Sequence, residues 1–437
     1  MRSILKFFVI ALLMPAIVSC SMETDVTPKP VDDTPKKSYT VLYYSCSSNL
    51  DNAIAPFFDY VSELNIPEHI NVVGQVKWDS GDVQRFVFDP ESNSAELDDF
   101  ANVDYRVDNP DHLADFITWA RAQAPADEYI MVFCGHGNAY QPAFDNITRG
   151  ILRDDNFPST PYLGLGDICQ AFDIAGINQD NKFALTMMIC CLMNTLEYST
   201  ELVLYTDYYL ASGHVTVATS KELYNLIAGL IEHGQDDEDA IVNSVKYAVD
   251  TDYAEVGHVN VQETTLTKST RIKKLNESIK SFVGVLCSLY REQVVLGADA
   301  MQQKYGFTTA DIDNALADSY YYLQPYLDSG GDTSKWYQCS YSYDIVDIAR
   351  KVAQATNLEQ LLCYAADIEE FAAEAILYQY KYNFDRPLFH GVTLVNNEEW
   401  EELRFDDANY VDLAFDKATG WSSLLKLNKA EFKHEIK

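Results

Sequence analysis

The chain has 437 residues, 47% of them hydrophobic, with 29 Tyr and 21 Phe; that composition builds packed cores and excludes disorder as the overall state. Its formal net charge of −34 repels phosphate backbones, so no nucleic-acid partner is expected. The length suits one large or two ordinary domains.

Arg2 and Lys6 precede an apolar run from Phe7 to Ile17, which is followed by Val18-Ser19-Cys20. This order predicts a bacterial signal peptide over 1–19, and the run is shorter than the roughly 20 residues of a membrane span. The ending I-V-S-C resembles a lipobox, in which Cys20 carries the lipid. Residues 20–38, with three prolines and no aliphatic pattern, then read as a flexible tether. The expected location is the bacterial cell envelope, as an exported lipoprotein facing the periplasm or on the outer-membrane surface. Its membrane contact would be only through the lipid on Cys20. Eight further cysteines show no C-x-x-C spacing, so neither a disulfide scaffold nor a metal site is expected.

Residues 39–235 alternate strand and helix patterns. Tyr39 to Tyr44 is a β-rich run ending in the polar loop Ser45 to Asn49. Ile54, Phe57, Phe58 and Val61 then share one helical face. Ile70 to Val76 and Gln84 to Phe88 read as strands. Asn109-Pro110 is a cap with a first-turn proline, opening a helix with Leu113, Phe116, Ile117 and Ala120 at core spacing. Tyr129 to Phe133 is a strand ending in Cys134-Gly135-His136-Gly137. Phe183 to Cys190 is another, and Leu192, Leu196 and Val203 after it have helical spacing. Alternation of this kind predicts an α/β fold with a mostly parallel central sheet. Cys191 would then stand between a strand tip and a helix N-terminus, where ligands bind and a thiolate is stabilised. Residues 236–437 read as a mainly helical C-terminal region, with helices over Ile272 to Leu289 and Leu358 to Tyr380 and a late strand over Gly391 to Val395.

A set of motifs spread along the chain resembles the clostripain family of cysteine peptidases. They are Tyr39 to Tyr43 with Asn49-Leu50, Asp127-Glu128-Tyr129 leading to His136-Gly137, Gly150-Ile151 with Asp154-Asp155, Cys191-Leu192-Met193 with Glu197, Tyr343 to Ala349, and Phe415 to Trp421. His136 precedes Cys191 by 55 residues, an interval near that of caspase-type enzymes. The resemblance implies a caspase-like α/β/α sandwich that hydrolyses peptide bonds in protein or peptide substrates. Cys191 would be the nucleophile and His136 the general base. The N–H groups of Gly137 and Cys191 would form the oxyanion hole. Asp154 and Asp155 are expected to be structural, as turn residues, and Cys190 to be core.

The departures bear on specificity. The family has Asp two residues before the nucleophile, where this chain has Ile189, and acidic residues after the next strand, where it has Ser212, Gly213 and His214. These four are the S1 pocket candidates. With both acids missing, Arg or Lys at P1 would be buried without a partner, so a neutral or acidic P1 is expected. No cofactor is expected. Calcium enters by resemblance alone, and the Asp residues form no EF-hand loop. The alternative is a decayed surface lipoprotein acting as a binding module.

Overall fold

A computed structural model describes residues 36–144, 147–157, 162–213, 216, 221–255, 262–317, 319, 342–382, 390–395 and 408–427. Cys20, most of the tether and His214 lie outside the described residues.

Fourteen strands are described: β1 (Tyr39–Cys46), β2 (Ile70–Lys77), β3 (Val83–Asp89), β4 (Ser94–Ala95), β5 (Asp98–Ala101), β6 (Glu128–Gly135), β7 (Gly137–Phe144), β8 (Ile147–Ile151), β9 (Phe183–Ile189), β10 (Thr206–Ala211), β11 (Gln262–Lys268), β12 (Ser342–Asp344), β13 (Ile376–Tyr382) and β14 (Thr393–Val395). Ten of them form one sheet in the order β13-β11-β10-β9-β6-β1-β2-β3-β4, with β5 beside β3. The middle five, β10-β9-β6-β1-β2, are all parallel, whereas β3, β11 and β13 join antiparallel.

The sheet is covered on both faces, as the α/β/α expectation requires. Alternation along β1 sends Leu42, Tyr44 and Cys46 into one core and Tyr39, Val41 and Tyr43 into the other. The first core is closed by the helices Pro110–Gln123, Leu165–Ile174, Ile272–Leu296 and Ile345–Thr356. The second is closed by Pro56–Ser62, Lys221–His233 and Ala240–Glu255. The helix at Pro110 starts as its sequence predicts, with Asn109 Oδ1 accepting from Asp111 N at 3.0 Å.

Three expectations need correction. No helix begins at Cys191: the next one is Leu196–Glu201, capped by Thr195, so Cys191 sits in a loop. The reason is tertiary, because Asn194 is tied to two other segments, described below. The pattern read as one helix from Leu358 to Tyr380 divides into the helix Glu359–Ala375 and strand β13, whose alternating tyrosines pair with β11. The sheet also does not stop at residue 235, since β11 and β13 extend it.

Candidate active site

Strand order reverses at β1. The chain runs from β1 to β2 on one side, then returns to β6 on the other. The carboxyl ends of β1 and β6 therefore flank a topological switch point, where open α/β sheets bind ligands. Parallel pairing brings Cys46 beside Gly135 and Cys134 beside Ile189. Three consecutive tips thus present Ser47 to Asn49, His136 and Cys191 along one edge.

Local backbone conformation is unusual there. Ser48, Asn49, Ala139, Leu152 and Leu192 have φ between 39° and 67°, a region costly for residues other than Gly and, to a lesser degree, Asn. Such strain collects at functional sites. Two glycines make the packing possible. Gly135 has φ of 154°, and a Cβ on it would meet the Cys46 carbonyl oxygen at 2.6 Å. A Cβ on Gly137 would lie 2.3 Å from the Cys191 carbonyl oxygen and 2.9 Å from its nitrogen. His136-Gly137 is therefore pressed directly against the backbone of Cys191.

The imidazole has a defined orientation. His136 Nε2 stands 3.0 Å from the Ser48 carbonyl oxygen and 2.9 Å from Asn49 Oδ1. A carbonyl only accepts, so Nε2 carries the proton and the neutral ring keeps Nδ1 as its basic nitrogen. Burial holds the ring's pKa below its ordinary 6.5, against the pull of the Ser48 carbonyl and with help from Arg153. The His136 carbonyl accepts from Leu152 N at 2.8 Å.

Cys191 is part-buried, and its Sγ accepts from Thr216 N at 3.3 Å. Burial pushes the thiol above its ordinary 9.0, more than the N–H groups of Thr216 and of Cys191 itself lower it. The expected helix N-terminus at Cys191 is thus corrected: the next helix starts at Leu196, and burial rather than a helix dipole sets the thiol's direction of shift. Cys190 is fully buried in the first core.

Asp154 and Asp155 are placed as support. Asp154 pairs with Lys77 at 2.7 Å, both almost wholly buried. Asp155 accepts from Ser48 Oγ at 2.7 Å and pairs with Arg153. Of the S1 candidates, Ile189 is buried in the second core, while Ser212 and Gly213 are buried at the end of β10. An acid from another strand stands beside them. Glu263 of β11, 1% exposed, accepts from Gly213 N at 2.7 Å and Ser212 Oγ at 3.4 Å, and its other oxygen takes Thr265 Oγ1. Asn194, three residues past Cys191, donates its backbone N–H to the Ser212 carbonyl at 2.9 Å and its side chain to the Gly391 carbonyl at 2.8 Å. It also accepts at its carbonyl from Thr393. The sequence pattern gives Asn194, Thr216 and Glu263 no role and marks Asn49 only as a turn residue opening a helix. Each acts on a segment distant in the chain, and only the N-L motif marked Asn49.

No group of three or more metal-binding side chains occurs among the described residues, and no described helix is long and apolar enough to cross a membrane.

A sandwich with a cysteine and a histidine on neighbouring parallel-strand tips is the plan of the caspase-like cysteine peptidases. A model of the clostripain family matches residues 50–427, and the chain belongs to that family, which makes it a cysteine-type peptidase by class. Similar solved structures include a secreted C11 cysteine protease from Bacteroides thetaiotaomicron in complex with an irreversible peptide inhibitor. It is 14% identical, with a TM-score of 0.61, over 88% of this chain and 99% of that one. An inactive zymogen C11 protease from Parabacteroides distasonis is also similar, at 14% identity and a TM-score of 0.59 over the same shares. A secreted C11 cysteine protease from Bacteroides thetaiotaomicron called iotapain gives 15% and 0.59, again over 88% and 99%. At these identities the likeness concerns the fold. No curated protein sequence matches.

Proposed function

We propose that the protein is an endopeptidase in which Cys191 and His136 act as a dyad. The observation that carries this reading is the commitment of His136 Nε2 to Ser48 and Asn49, which leaves Nδ1 as the base on a tip pressed against Cys191. In the acylation step Nδ1 takes the thiol proton as Sγ attacks the scissile carbonyl, forming the C–S bond. The oxyanion is received by the N–H groups of Gly137 and Cys191. Collapse breaks the C–N bond, and the imidazolium returns its proton to the leaving amine. Water, activated by the same nitrogen, then cleaves the thioester. The binding-module reading has no observation of its own in its favour, and turnover in Cys191→Ala and His136→Ala tests the dyad against it.

On specificity, the reading is a P1 residue other than Arg or Lys. Ile189 brings no charge, and Glu263 spends its oxygens on Gly213, Ser212 and Thr265 inside the fold. A fluorogenic peptide library with mixed P1 positions is expected to give its highest rates at neutral or acidic P1. A preference for Arg or Lys of more than about tenfold would overturn this and make Glu263 a pocket carboxylate.

On location, the reading is an envelope lipoprotein anchored at Cys20, supported by the basic, apolar and I-V-S-C segments of the first 20 residues. Metabolic labelling with an alkynyl fatty acid in a bacterial host should mark the wild type and not Cys20→Ala. Equal labelling of both, or none of either, would remove the anchor.

A further inference from the structure

We propose that Asn49 is the positioning residue of the catalytic imidazole, so that the working constellation is Cys191, His136 and Asn49. The inference rests on the dyad reading. Its own basis is the geometry at the tip of β1. A base that must give and take a proton at one ring nitrogen needs the other nitrogen fixed. Asn49 Oδ1 lies 2.9 Å from His136 Nε2, beside the Ser48 carbonyl at 3.0 Å. Two acceptors on one N–H hold the ring in plane as well as in tautomer. A cysteine, a histidine and an asparagine serve together on the unrelated papain-like fold.

The backbone around Asn49 is built to aim it. Ser48 and Asn49 are consecutive residues with φ of 39° and 67°, and this double left-handed turn is what points both acceptors at the ring. The turn is held from two sides. Ser48 Oγ donates to Asp155 Oδ2 at 2.7 Å, and the Asn49 N–H donates to Asp79, which also lies 3.2 Å from Ser47 Oγ. Asn49 itself is exposed, so its side chain is not held there by core burial. The charged groups facing His136 are Arg153, Asp155 and Asp79; Arg153 and Asp155 are paired with each other.

Three side chains accept left-handed φ readily: Asn, Asp and Gly. Substitutions among them change the acceptor and leave the turn. Turnover is followed with self-quenched fluorescein-labelled casein, and the His136 ring is titrated by NMR, its signal assigned by its loss in His136→Gln. Asn49→Gly should lower kcat about tenfold with KM within about twofold, part of the roughly 10²–10⁴ that acid–base catalysis contributes. Asn49→Asp should restore kcat above its acid limb. Its carboxylate favours the imidazolium, so both the His136 titration and the acid limb of kcat/KM should move up by roughly one pH unit. Wild-type kcat in Asn49→Gly, or an unmoved His136 titration in Asn49→Asp, overturns the proposal. Full turnover in His136→Gln would instead sink the dyad, and the ring titration would still decide whether Asn49 holds the imidazole.

Discussion

Cys191→Ala is expected to abolish peptide hydrolysis, and His136→Ala to lower it by at least about 10³-fold, because removing either member of a nucleophile–base unit costs nearly as much as removing both. Folding should survive both changes. The Cys191 loop is held by Asn194, and His136 is a part-buried tip residue. The measurement is turnover of labelled casein together with labelling by a peptidyl acyloxymethyl ketone, which should mark the wild type alone. The resting chemistry adds a pH signature. The Cys191 thiol is raised above 9.0, so at neutral pH its thiolate fraction is below that of an ordinary cysteine. Alkylation of Cys191 by iodoacetamide should climb about tenfold per pH unit through neutrality, without the plateau that a standing thiolate–imidazolium pair gives. The His136 pKa lies below 6.5, so the base stays unprotonated, and the acid limb of kcat/KM should fall below that value. Activity retained in Cys191→Ala, or an alkylation plateau between pH 6 and 8, would contradict this account.

The parts of the molecule that could be read from the sequence are those fixed by local pattern. Tyr129 to Phe133 and Phe183 to Ile189 are apolar runs of strand length. Their tips are neighbours because parallel strands flanked by helices stack in register, and that alone brings His136 and Cys191 to one edge. What escaped reading depends on partners far along the chain. Leu192, Leu196 and Val203 have helical spacing, yet Leu192 has φ of 66°, because Asn194 is bonded to Ser212 and Gly391. Ile376 to Tyr382 continues a helical pattern, yet becomes a strand because β11 offers it an edge. Glu263 carries no motif, and its place behind Gly213 follows only from the antiparallel pairing of β10 with β11. The family resemblance named the Cys191-Leu192-Met193 motif and His136-Gly137 but gave no reason for Asn49, whose meaning appears when the tip of β1 is placed beside that of β6.

The second large effect expected is on stability, at Lys77 and Asp154. Lys77 Nζ lies 2.7 Å from Asp154 Oδ2, 2.5 Å from the Tyr105 carbonyl oxygen and 4.7 Å from the centre of the Phe157 ring. The other Asp154 oxygen accepts from Asn156 N and Nδ2 at 3.1 and 3.2 Å. Both side chains are 1% exposed, so removing one leaves the other charge buried without its counter-ion, a cost of about 3–5 kcal/mol. At roughly 2 cal/mol/K of unfolding entropy per residue, Lys77→Met or Asp154→Leu should lower Tm by about 5 °C. The double variant places two apolar side chains of similar length in the same space and should regain most of the loss, since a buried pair is often no more stabilising than its hydrophobic replacement. Activity should divide differently from stability. Asp154 anchors the segment whose Leu152 N–H binds the His136 carbonyl and whose Asp155 holds Ser48. The double variant should therefore recover Tm yet keep a reduced kcat. Recovery of both would make the pair a packing element only. Failure to recover Tm would mean that the charges stabilise the loop in a way apolar side chains cannot replace.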